Sequence, residues 1–130
     1  MSASNSTENL LLSYLLTTAA VTRPTAWFVA LFNVDPGEAG SSGTDVTTTI
    51  RTAGRVAVPF AAPANGSIAN SAVVDFGAAA GGATVTHFGI YDAATGGNLL
   101  VSGPLAGQPI TVNATQNVSF AAGALTVSLD

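Results

Sequence analysis

The side chains able to do chemistry are few and far apart. One histidine, His87, three arginines, Arg23, Arg51 and Arg55, and seven carboxylates are scattered along the 130 residues, and lysine and cysteine are absent. A histidine works as a base when a carboxylate orients it and a nucleophile stands within hydrogen-bond reach. No Gly-x-Ser-x-Gly elbow occurs, and His87 has no second histidine at metal-ligand spacing. It reads as a packed or interfacial side chain. Asp35, Glu38 and Asp45 share one stretch, DPGEAGSSGTD. Carboxylate pairs can do acid–base work or hold Ca²⁺, but the spacing fits neither, and the stretch reads as a solvated loop. Asp92–Asn98 (DAATGGN) lacks the alternating oxygen ligands and distal Glu of a calcium loop. It reads as a hairpin turn in which Asp92 bonds the turn backbone, Gly96 and Gly97 supply positive φ, and Asn98 leads out. No catalytic, cofactor-binding or metal-binding residue is expected, and the chain is expected not to be an enzyme.

Composition points the same way. Charged residues make up 8% of the chain, against roughly a quarter in an ordinary soluble domain. The formal net charge is −4, and three arginines are too few for a phosphate-binding face, so nucleic acid is not an expected partner. Without cysteine there are no disulfides and no thiolate chemistry. Residues 1–20 carry no basic n-region, so they do not read as a signal peptide and a cytosolic product is expected. The longest apolar run, around Leu10–Leu16, falls far short of the roughly 20 residues a membrane span needs. The 24 alanines and 14 glycines bury little area, at about 25 cal/mol per Å². Oligomerisation is therefore expected to supply part of the burial.

The elements that would position these residues are mostly strands. Residues 1–5 read as a flexible leader, and 6–130 as one domain. A helix over about 7–18 is expected, capped by Ser6 or Asn5, with Glu8 favoured by the helix dipole. Its leucines cover more than one stripe, so it should be buried on most sides. Two readings fit: one side meets its own fold and the rest a second subunit, or the helix plugs the end of its own sandwich. Leu11, Leu12, Leu15 and Leu16 are the candidate contacts, joined by Arg23, Trp27 and Phe28. Pro24 ends helical structure, and TAWFVALFN (Thr25–Asn33) suits a strand with apolar surface on both faces. Trp27 and Phe28 should then face opposite ways. Beyond Asp45 the chain alternates with period two: Val56, Val58 and Phe60; Val74 and Phe76; Phe88 and Ile90; Ile110 and Val112; Leu125, Val127 and Leu129. Thr84–Asp92 reads as one strand, with Val85, His87, Gly89 and Tyr91 on one side and Thr86, Phe88 and Ile90 on the other. Short strands between turn signals such as ANGS (Ala64–Ser67) predict a mainly β fold, an antiparallel β-sandwich or jelly-roll-like barrel with one N-terminal helix.

Several segments, in order, resemble a family of small tailed-bacteriophage virion proteins. They are SNSTENLLL (Ser4–Leu12), RPTAWFVALF (Arg23–Phe32), DPGEAG (Asp35–Gly40), TVTHFGIYDAATGGNLL (Thr84–Leu100) and AAGALTVSLD (Ala121–Asp130). TTTIRTAGR (Thr47–Arg55) departs from the family's Tyr-Ala-Arg-like stretch. Such proteins are labelled tail fibre or minor structural proteins, and the resemblance implies a virion component without catalytic residues or cofactors. Neither a repeat nor a coiled-coil trunk is visible here, so the expected role is a capsid decoration or cement protein. It would be a homotrimer clamping seams between major capsid protein subunits. A small tail-associated fibre, adaptor or receptor-binding protein is the alternative, and an exposed Trp27 would suit a sugar platform.

Overall fold

Period-two alternation becomes antiparallel strands throughout. The computed structural model describes residues 2–129, so Met1 of the expected leader and Asp130 of the expected domain lie outside the described residues. About 35% of the chain is strand and 13% helix, a mainly β architecture consistent with a β-sandwich. A five-stranded sheet has the order β1 (Ser2–Ala3), β8 (Leu99–Pro104), β7 (His87–Tyr91), β2 (Phe28–Phe32) and β3 (Val56–Ala57). Three two-stranded ladders accompany it. They pair β5 (Val74–Ala78) with β10 (Asn117–Phe120), β4 (Ser67–Ala69) with β11 (Thr126–Ser128), and β6 (Ala83–Val85) with β9 (Ile110–Val112).

The main core lies between one face of the large sheet and these ladders. Val29, Leu31, Phe88 and Ile90 meet Val74, Phe76, Val85, Val112, Leu125 and Val127 there. Ala30, Phe32, Tyr91 and Leu99 form a second cluster. β2 is thus covered on both sides, as its unbroken apolar run requires. Gly89 lies beside that second cluster. A Cβ on it would come within 2.9 Å of both Phe32 Cε2 and Leu99 Cδ1, so the packing needs glycine here.

Three expectations are corrected. Ser2–Ala3 do not lie loose; they pair with Ser102 and Val101 at the sheet edge. The first helix, α1, spans Asn5–Leu16, and its cap is Ser4, whose Oγ accepts from Thr7 N at 3.2 Å. Ser4 wins because its own N–H donates to Leu100 O at 2.9 Å, which fixes the extended backbone a cap requires. The expected strand Thr84–Asp92 is two strands. Thr86 N donates to Phe32 O while Leu105 N donates to Thr86 O, each at 2.9 Å, and the chain changes sheet at that residue. Val85 and Phe88 therefore reach the same core instead of opposite faces. A short second helix, α2 (Thr47–Ile50), occupies the stretch where the family resemblance breaks. Its Thr47 and Ile50 are buried, and Asp45 Oδ1 accepts from Thr47 N at 2.9 Å.

Candidate functional site

α1 is the least covered element of the fold. Its first turn is tied down: Thr7 Oγ1 donates to Leu100 O at 2.7 Å, and Asn5 N donates to Glu38 O at 3.2 Å. None of its 12 residues is buried. Leu10 and Leu11 are half-covered, while Leu12, Tyr14, Leu15 and Leu16 are 55%, 67%, 69% and 77% exposed. A helix apolar on most sides is normally buried on most sides, and this one rests on its own fold only through its first half. Residues 17–20, which follow, are exposed too. Trp27 is half-buried against the main core, and its carbonyl accepts from Val58 N at 2.9 Å. Phe28, also half-buried, pairs with Tyr91 and Ala57 in the sheet. Arg23 is exposed on the segment that passes beside Leu10.

The other two arginines are committed to the fold. Arg51 Nη1 donates to Gly54 O and Arg55 O, both at 3.1 Å. The Arg55 guanidinium lies 3.5 Å from the Tyr91 ring centroid and donates to Ala93 O and Gly96 O, each at 2.8 Å. It therefore clamps the β7–β8 turn onto the sheet, a role invisible in the sequence because its acceptors are backbone carbonyls about forty positions away. Within that turn Asn98 N donates to Asp92 Oδ1 at 2.7 Å and Asn98 Nδ2 to Asp92 Oδ2 at 3.2 Å. Gly96 and Gly97 have φ of 62° and 71°. A Cβ on Gly97 would also collide with Asp92 Oδ1 at 2.4 Å, whereas at Gly96 it would meet open space. Gly97→Ala is expected to cost about 1–3 kcal/mol and Gly96→Ala about 1 kcal/mol. Parallel urea melts check the order.

Burial raises the Tyr91 hydroxyl above its ordinary pKa of 10.0; Arg55 partly opposes the shift and Asp45 adds to it. The folded chain thus favours the protonated phenol. That contribution is complete below pH 10 and is lost as pH climbs through the raised value. Urea midpoints between pH 9 and 11.5 are expected to fall for the native chain and to fall less steeply for Tyr91→Phe.

The three loop carboxylates are separated by their duties. Asp35 Oδ1 accepts from Gly37 N at 2.9 Å, Asp45 holds Thr47, and Glu38 is exposed. Among the described residues no three His, Asp or Glu side chains come together. His87 sits half-buried in β7, with Nδ1 2.8 Å from Thr86 Oγ1. No described helix is long and apolar enough to cross a membrane. No curated protein matches the chain. The sequence does match, over residues 2–128, a family described as podophage GP4 fiber I protein gp80. The chain belongs to that family. It is a family of phage virion structural proteins, and the match spans every described strand and helix, from β1 through β11. In this fiber I family member, the segments of the resemblance include the capped start of α1, the doubly covered β2, and the β7–β8 hairpin with its clamped turn.

Proposed function

We propose that the chain is a non-catalytic structural component of the phage fibre that joins copies of itself, as a homotrimer, through α1. The observation carrying this reading is the row of exposed leucines on a helix whose first turn is hydrogen-bonded in place. Apolar patches of this kind mark contact surfaces. The family description supports the fibre. Sedimentation of the purified chain tests the assembly, with a trimeric mass expected and a monomer at every concentration refuting it. Counting copies in purified virions tests the place: tens of copies confined to the tail support the fibre.

A second reading has its own support. No described element is a coiled-coil trunk or a tandem repeat, and a small trimer of this kind suits capsid decoration, bridging major capsid protein subunits at the head surface. Hundreds of copies on the head would favour it over the fibre.

A further inference from the structure

A groove of about 380 Å³ opens the core at the seam between the five-stranded sheet and the β4–β11 ladder. Trp27, Phe60, Ile68, Leu100, Val101 and Val127 wall it, and it reaches the buried Ile90. Its one charged lining residue is Arg23. Arg23 and Leu100 also border the cleft beside Leu10 of α1, so groove and helix are neighbours on one surface.

The helix carries the counterpart. Glu8, Leu12 and Leu15 follow one another at i, i+4 and i+7, a single stripe, with Leu16 beside Leu12. Glu8 is the only charged residue of α1. Arg23 is the one arginine that donates no hydrogen bond among the described residues. A dry cavity of roughly 150 Å³ accepts a six-carbon benzene, so on that scale the groove of about 380 Å³ has room for roughly three four-carbon leucine side chains. With the first turn held to Leu100 and Glu38 by Ser4, Asn5 and Thr7, Leu12, Leu15 and Leu16 stand exposed and do not line the chain's own groove.

We propose that Leu12, Leu15 and Leu16 of one copy seat in the groove of a second copy, with Glu8 facing the second copy's Arg23. This rests on the self-assembly reading above and names the two surfaces that meet. The contact joins different patches on the two copies, the head-to-tail kind, which gives a ring such as the proposed trimer when the rotation between copies closes and a filament when it does not.

The absence of cysteine makes the test direct. Leu15→Cys protein and Ala61→Cys protein, mixed and mildly oxidised, are expected to give the mixed disulfide several-fold over either homodimer; Ala61 is exposed and lines the groove. Glu8→Arg and Arg23→Glu should each weaken self-association about threefold to fivefold, and the double exchange should restore it. A trimeric mass with Leu15→Cys homodimers as the main product, or with no mixed disulfide, overturns the groove and leaves self-assembly standing. An intrachain disulfide in a monomeric L15C/A61C double variant overturns the second copy as occupant. A monomeric mass for the native chain overturns both proposals.

Discussion

Leu15→Asp combined with Leu16→Asp is expected to convert the proposed trimer into a folded monomer. Both side chains are more than two-thirds exposed in the single chain, so neither contributes to its core. Far-ultraviolet circular dichroism should stay native. In an interface the same leucines would each contribute about 1.5–3 kcal/mol on burial, and an aspartate there must instead be stripped of water without a partner. Loss of roughly 4 kcal/mol per contact weakens association about a thousandfold. The signature is double. Sedimentation should report a single-chain mass, and the melting temperature should stop rising with protein concentration, because only the native chain is stabilised by mass action. A variant that stays trimeric removes α1 from the interface. A variant that unfolds shows that the leucines pack within their own chain.

The sequence exposed the parts of this fold that depend on runs and alternation. TAWFVALFN is apolar on consecutive positions, and its strand, β2, is covered on both faces. Val74 with Phe76, Phe88 with Ile90, and Leu125 with Val127 alternate and are all buried. Leu129 continues the last pattern but is about half exposed just past the end of β11, although its N–H still donates to Gly66 O at 2.8 Å. What escaped was decided by contacts distant in sequence. Thr86 is a good strand residue, and nothing local tells that Phe32 and Leu105 will divide the strand around it. Ser4 stands just before Asn5 and Ser6, the expected caps, and its bond to Leu100 selects it in their place. The candidate site was half legible. Leucines on several sides of one helix announce that it should be covered on most sides, by its own sandwich or by a second subunit. Only the structure shows that the first half of α1 is seated and the second half is not, and that an apolar groove opens beside it.

Asn70 is the largest feature of this kind, and Asn70→Leu is expected to be the most damaging single substitution outside the apolar core. The residue is 2% exposed. Its Nδ2 donates to Ala72 O and Ala121 O, and its Oδ1 accepts from Leu125 N, all at 2.9 Å. Its backbone adds a donor to Leu125 O at 3.2 Å and an acceptor for Gly123 N at 2.9 Å. One side chain thus joins the end of β4 to the turn leading into β11 and holds Leu125 in the core. A leucine of similar size fills the space but strands the Leu125 N–H and takes one donor from Ala72 O, while Ala121 O keeps its bond from Ala124 N. A stranded buried group costs about 1–3 kcal/mol, so a loss of about 2–4 kcal/mol and a melting temperature lowered by roughly 6–15 °C are expected. Asn70→Asp separates hydrogen bonding from shape. It keeps the acceptor for Leu125 N but turns a carboxylate toward two carbonyl oxygens. That arrangement favours the neutral acid and raises its folded pKa above the unfolded value near 4. The variant's deficit relative to the native chain should therefore shrink as pH falls from 7 toward 4, whereas that of Asn70→Leu should not change with pH. Equal, pH-independent losses for both variants would show that packing, not this hydrogen-bond hub, sets the stability of the β4–β11 side of the sandwich.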